Sequence, residues 1–182
     1  YLEDERNPGE FYPIDEDENG TYIMNAKDLR LVEHLRDIIE AGVVSLKVEG
    51  RTKSVFYSAM VARTYREAID GVVAGESFNP KHLEELDKIA NRGYHTGFMV
   101  SETTHEAQNY SDSSSRGQTS VFVGLVDQEH ELAMQHPDLM CMDVRNRLER
   151  GQRIEVLSPG GGAREFTVGR MINPKGEEVD VA

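Results

Sequence analysis

Within SLKVEGRTKS, residues 45–54, four charged residues sit close enough to act together: Lys47, Glu49, Arg51 and Lys53. Side chains of an extended segment alternate between faces, which puts Lys47, Glu49 and Arg51 on one side and Leu46 and Val48 on the other. Two cations flanking one carboxylate make an anion site. An arginine fork matches a carboxylate or a phosphate, a lysine adds point charge, and the glutamate orients both or moves a proton. Lys53 and Tyr57 lie just beyond, near enough in sequence to reach the same ligand. The competing reading is a solvated face whose charges pair with neighbours, which would contribute little to binding.

The elements that must position these residues follow from hydrophobic spacing. Residues 43–50 are rich in β-branched and apolar types and follow Gly42, so a strand is predicted there. Upstream, residues 21–24 read as a short strand and Asn25 as the cap of a helix beginning near Ala26. Asp28 would favour the positive end of that helix, and Leu29, Val32, Leu35, Ile38 and Ile39 recur at helical spacing until Gly42. Downstream, Thr52 or Ser54 caps a helix running to about Val73, with Val55, Ala59, Ala62, Tyr65 and Ile69 on its inner face. Gly75 closes it, Asn79-Pro80 opens another, and Gly93 ends that one. Strand, helix, strand, helix is the order of parallel βα units, whose strands carry chemistry at their C-terminal ends. Asn25 and Arg51 would then share one rim.

The pattern changes twice more. Residues 1–20 hold eight acids and one base, and like-charge repulsion in the run 15–18 predicts an irregular surface loop. Residues 99–118 are polar and serine-rich, the signature of a linker. From residue 119 short strand patterns are predicted at 119–126, 131–136, 139–144, 152–158, 165–170 and 177–181, which suggest a small antiparallel barrel. The run Pro159-Gly160-Gly161-Gly162 has no helix after it, so it reads as a hairpin turn and not a phosphate loop. The organisation expected is therefore an α/β domain over 1–98 with an acidic entry loop, a linker over 99–118, and an all-β domain over 119–182.

Bulk properties narrow the class. At 182 residues the chain has room for one or two domains, and no apolar run reaches the length of a membrane span. It opens YLEDERNPGE, without a methionine or a secretory signal, so a piece of a longer protein is expected. Cys141 is the single cysteine, which excludes an internal disulfide and any all-cysteine metal site within the chain and fits a reducing cytoplasm. The net charge of −13 argues against nucleic acid only as a total. Residues 21–98 balance eleven acids with eleven bases, and Lys47, Arg51, Lys53, Arg63 and Arg66 face one nearby acid, Glu49, so a local anion site survives.

The strings YIMNAKDLRLVEHL, GVVSLKVEGRTKS, YREAIDG and NRGYHTGF, in this order and spacing, resemble the collagenase-like peptidase family of unknown catalytic type, number thirty-two in its class. The likeness is nearest to its bacterial members assigned to tRNA hydroxylation and covers nearly the whole chain. What the resemblance implies is the last part of a TIM-like barrel followed by a small β-barrel. For the nearest members it implies prephenate-dependent 5-hydroxylation of the wobble uridine of tRNA in the cytoplasm. Asn25, Lys27 and Asp28 match the family's NxKDL motif, and Lys47, Glu49, Gly50, Arg51 and Lys53 match KxEGRxK. The physical reading and the resemblance agree on Lys47, Glu49 and Arg51 as a catalytic or ligand-orienting trio. The resemblance adds Asn25, Lys27, Asp28 and Lys53 as substrate-binding residues, and the place of Tyr57 near the loop adds it to them. Several relatives hold an iron–sulfur cluster through cysteines mostly upstream of this region, and some place one right after the Asp-Leu of NxKDL. Arg30 stands there in this chain. A cluster is thus implied only for a longer protein, and no metal or cofactor is expected within this chain.

Three functional readings follow. The first is a tRNA-modifying enzyme whose partners are tRNA and a small carboxylate donor of the prephenate type. The second takes the family's older name literally, as a peptidase, although the scattered histidines His34, His82, His95, His105, His130 and His136 form no protease motif. The third is a non-catalytic RNA- or partner-binding module.

Overall fold

The computed structural model describes residues 1–182 except positions 4, 7, 10, 13, 19, 24, 25, 52, 103–106, 110–117, 159 and 160. The chain divides into two units, Tyr1–Ser120 and Val121–Ala182. The first unit begins with two antiparallel hairpins, β1 (Leu2–Glu3) with β2 (Phe11–Tyr12) and β3 (Ile14–Asp17) with β4 (Gly20–Ile23). The acidic run expected as a loop is therefore largely strand. Across the ladder Asp15 is opposite Tyr22, Glu16 opposite Thr21 and Asp17 opposite Gly20. In this register no acid is paired opposite another acid, and like charges placed directly opposite are what destabilise a ladder.

The helix expected from Ala26 starts later. Residues Asp28–Leu29 form β5, which pairs in parallel with β6 (Tyr94–His95). The N–H groups of Lys27, Asp28 and Arg30 donate to the carbonyls of Ala107, Gly93 and His95, each at 2.9 Å. Donors and carbonyls spent on this ladder are unavailable to a helix. The chain then turns through a 3₁₀ turn, Val32–His34, into α1 (Leu35–Glu40), and Gly42 leaves it at φ +91°. Asn25, expected as the cap of this helix, lies outside the described residues.

Residues 43–50, expected as the central strand, take no regular secondary structure. A strand is stable only beside a neighbour that satisfies its backbone, and among the described residues none pairs with this segment. Its apolar side chains are left in solvent, Val44 at 99% exposure. Gly50 then accepts from the N–H of Lys53 at 3.0 Å, and Ser54 Oγ accepts from the N–H of Tyr57 at 3.1 Å, which starts α2 (Val55–Val73). Gly75, at φ +79°, ends it. Asn79 Oδ1 accepts from the N–H of Lys81 at the start of α3 (Lys81–Asp87).

Packing of α2 against α1 and α3 buries Met60, Val61, Thr64 and Ala68 with Val32, Leu35, Leu86 and Ile89. Each large apolar side chain buried there contributes about 1.5–3 kcal/mol. The buried face is rotated from the one expected, since Val55, Ala59 and Ala62 are exposed. Two apolar stripes run along this helix, and the small residues Thr64 and Ala68 select the one that lets helices approach. Ala107 is buried in the same unit and Asn109 Nδ2 donates to the Arg92 carbonyl at 3.0 Å, so these residues of the expected linker are tied to the first unit.

The second unit contains β7 (Gly124–Val126) paired with β8 (Met142–Val144), β9 (Arg153–Ser158) with β10 (Gly161–Thr167), and β11 (Met171–Ile172) with β12 (Glu178–Val179). All are antiparallel pairs, and they stand as separate two-stranded sheets among the described residues. Residues 131–136, expected as a strand, instead contain the short helix α4 (Glu131–Gln135). Asp127 Oδ1 accepts from the N–H groups of Glu129 and His130 at 3.1 Å, and His130 Nδ1 accepts from that of Leu132 at 3.2 Å. These side-chain acceptors outcompete a ladder for the same donors.

Candidate functional site

A cavity of about 680 Å³ opens in the first unit. Strand β5 and the residue before it bring Lys27 and Asp28, the irregular segment brings Lys47, Glu49, Arg51 and Lys53, and the first turn of α2 brings Tyr57. The chain around β6 adds Arg92, Tyr94 and His95. Of the residues singled out from the sequence, only Asn25 cannot be placed, because it lies outside the described residues. The others line one cavity, although 43–50 is not the strand that was to carry the trio.

The fixed point of the wall is Asp28, with its side chain 15% exposed. Its Oδ1 accepts from Arg92 Nε at 3.1 Å and Nη2 at 2.7 Å, and its Oδ2 accepts from the Arg92 N–H at 3.2 Å. Charge-assisted bonds of this kind each contribute roughly 1.5–3 kcal/mol. Lys53 Nζ lies 4.0 Å from the same carboxylate, 3.4 Å from the Ala90 carbonyl and 5.2 Å from the centre of the Tyr57 ring. Asn91 shapes the turn that presents Arg92, its Oδ1 accepting from the N–H of Gly93 at 3.0 Å. Gly93 has φ +82°, and a side chain there would meet the Lys27 stem 3.4 Å away.

Charge is unbalanced around this point. Lys27, Arg30, Lys47, Arg51, Lys53 and Arg92 line the cavity against two carboxylates, Asp28 and Glu49. Asp28 serves Arg92 and Lys53, and Glu49 Oε1 accepts from the N–H of Arg51 at 3.1 Å. Arg30 is neutralised by Glu33 at 3.2 Å and Asp87 at 3.8 Å, and its guanidinium lies 4.5 Å from the centre of the Tyr94 ring. Among the described residues, the side chains of Lys27, Lys47 and Arg51 have no carboxylate partner. Three uncompensated cations on a concave wall attract a ligand with more than one negative charge.

Tyrosines supply the apolar part of the wall. Burial, followed by the charge of Asp28, pushes the Tyr57 phenol above its ordinary 10.0. Burial also raises Tyr65, whose hydroxyl accepts from the Leu31 N–H, and raises Tyr94 further, with Asp87 adding to it. Tyr94 donates its hydroxyl to the Leu86 carbonyl at 2.6 Å. All three therefore stay neutral at physiological pH and offer ring faces and hydroxyls.

Sequence reasoning missed Arg92, Arg30 and Tyr94 as parts of this wall. The Asn-Arg-Gly turn 91–93 was the available signal, since an Asn and a positive-φ Gly flanking an Arg fix a cation on a tight turn. For an iron–sulfur cluster the residues present do not fit: one cysteine cannot supply four thiolates, and Arg30 is engaged with Glu33 and Tyr94.

Comparison with known proteins gives a consistent pattern. Residues 2–109 match the family described as peptidase family U32, and residues 118–182 match the peptidase family U32 C-terminal domain. The whole chain is 41% identical to tRNA hydroxylation protein P of Escherichia coli and 39% identical to the protein of that name from Haemophilus influenzae. It spans 39% and 38% of the lengths of those two relatives. A collagenase of Porphyromonas gingivalis is 32% identical over 57% of this chain and 30% of its own length. No solved structure matches.

Proposed function

The chain belongs to peptidase family U32, and on that premise we propose that it is the C-terminal part of a tRNA-modifying enzyme that hydroxylates the wobble uridine at its 5-position in a prephenate-dependent reaction. The observation that carries this reading is the cavity whose cations Lys27, Lys47 and Arg51 lack carboxylate partners. These three bind an anion, either a carboxylate of the donor or a tRNA phosphate, and Glu49 orients them or moves a proton. The neutral tyrosines give a planar ligand a surface to lie on.

The whole protein, in this reading, is a TIM-like barrel followed by a small β-barrel, acts in the cytoplasm, and takes any iron–sulfur ligands from residues beyond this chain. The parallel pair β5–β6 and the exposed apolar residues Val44, Val48 and Val55 support a first unit that packs against further barrel strands. Among the described residues no helix is long and apolar enough to cross a membrane. The described lining of the cavity contains no serine, threonine or cysteine. In cells whose whole protein carries Arg51→Ala, mass spectrometry of tRNA should find hydroxyuridine reduced at least about tenfold. An unchanged level removes Arg51 from the reaction.

A further inference from the structure

Asp28 was expected to bind substrate, but its geometry gives it another task. Both of its oxygens are already spent on Arg92, through three donors, and Lys53 stands 4.0 Å away. Residues 28 and 92 are 64 apart in sequence and meet because β5 and β6 pair with Asp28 opposite Tyr94. The guanidinium keeps Nη1 over after Nε and Nη2 have donated to Asp28, since arginine carries five N–H donors. Arg92 thus resembles a fork clamped by one edge, its Nη1 not used by Asp28, in a residue that lines a cavity rich in uncompensated cations.

We propose that Asp28 is a positioning residue, which touches no ligand itself and holds Arg92, and with it Lys53, in the orientation that receives an anionic ligand. This rests on the anion-binding reading of the cavity and extends it to a residue that acts through another. A clamped guanidinium loses less freedom on binding than a mobile one, so the carboxylate raises affinity although it carries the same sign as the ligand.

The test titrates the whole protein, which contains this chain as its C-terminal part, with malonate, a small dicarboxylate probe, by calorimetry, while NMR follows the Arg92 Nε–Hε resonance. Asp28→Asn is expected to weaken malonate about tenfold and to shift that resonance, and to change affinity less than about twofold when Arg92 is already Gln. Equal losses in both backgrounds, or an unmoved resonance, overturn the proposal. Should Asp28→Asn fail to fold, Arg92→Lys keeps an ion pair with Asp28 but loses the fork. Malonate then binds several-fold more weakly if the clamp matters, and equal affinity overturns it. If the unaltered whole protein does not bind malonate at all, the anion reading itself fails and this inference falls with it, whereas binding that is indifferent to residue 28 sinks this inference alone.

Discussion

In the second unit Arg145 lies 2.6 Å from Asp143, Arg147 2.6 Å from Glu149, and Arg150 bridges Glu178 at 2.6 Å and Asp180 at 2.8 Å. Arg153 pairs with Glu165 and Arg170 with Glu178. In the cavity of the first unit Lys27, Lys47 and Arg51 have no such partner among the described residues. Residues of the same types therefore have different electrostatic consequences. Exposed ion pairs along short strands cancel their own field and contribute little to stability, whereas unpaired cations on a concave wall sum theirs. A negative total charge describes the first case and conceals the second.

The units differ in packing as well. Val32, Leu35, Met60, Leu86 and Ile89 are almost fully buried in the first, whereas Ala133 and Leu148 are the buried apolar residues described in the second. An open cavity of about 950 Å³ in the second unit is lined by Leu148, Ile154, Phe166 and Met171, among others. Truncation should therefore be felt unequally. Leu35→Ala is expected to destabilise the first unit by about 2–5 kcal/mol, and Phe166→Ala, 43% exposed, to cost the second under about 2 kcal/mol, both read by chemical denaturation. Equal losses would mean that the second unit holds a core as tight as the first.

Alkaline titration gives a smaller effect that separates the units by residue type. All seven tyrosines precede residue 121, so phenolate absorbance reports on the first unit alone. Tyr57, Tyr65 and Tyr94 have phenols raised above 10.0, so the fold favours their neutral forms. Their contribution is complete below 10.0 and is lost as pH rises toward the raised values. The ultraviolet titration should show a fraction of the tyrosines ionising late, with the first unit unfolding as they do. A single transition at the ordinary value for all seven would contradict the burial of these three.

The smallest effect belongs to an exposed pair. The hydrogen bond from Arg150 holds the Glu178 carboxyl below its ordinary 4.5. Its contribution is present above 4.5 and disappears as pH falls through the lowered value. Thermal melts of Glu178→Gln should differ slightly from those of the unaltered chain at neutral pH and coincide with them in acid. A difference that grows in acid would contradict the pairing.

These contrasts bear on what a sequence can disclose. Local signals were legible: Ser54 begins α2, Gly75 ends it, and Asn79 and Gly93 bracket the next segment, because caps and positive-φ glycines act within a few residues. Most of the candidate site was legible for a similar reason, since Lys47, Glu49, Arg51 and Lys53 sit in one short run. The clamp between Asp28 and Arg92 was not, because it depends on a pairing of β5 with β6 that spans most of the first unit. Helix α4 was misread because the side chains of Asp127 and His130, and not hydrophobic spacing, decide it. The segment 43–50 has strand composition without a strand partner, and composition alone does not supply one.

The contrast between the units is tested most directly by measuring hydroxyuridine in tRNA from cells whose whole protein carries either Arg51→Ala or Arg150→Ala. Loss of the modification with the first and a wild-type level with the second is the predicted result. Equal levels for both, whether high or low, would contradict the assignment of function to the unpaired cations of the cavity.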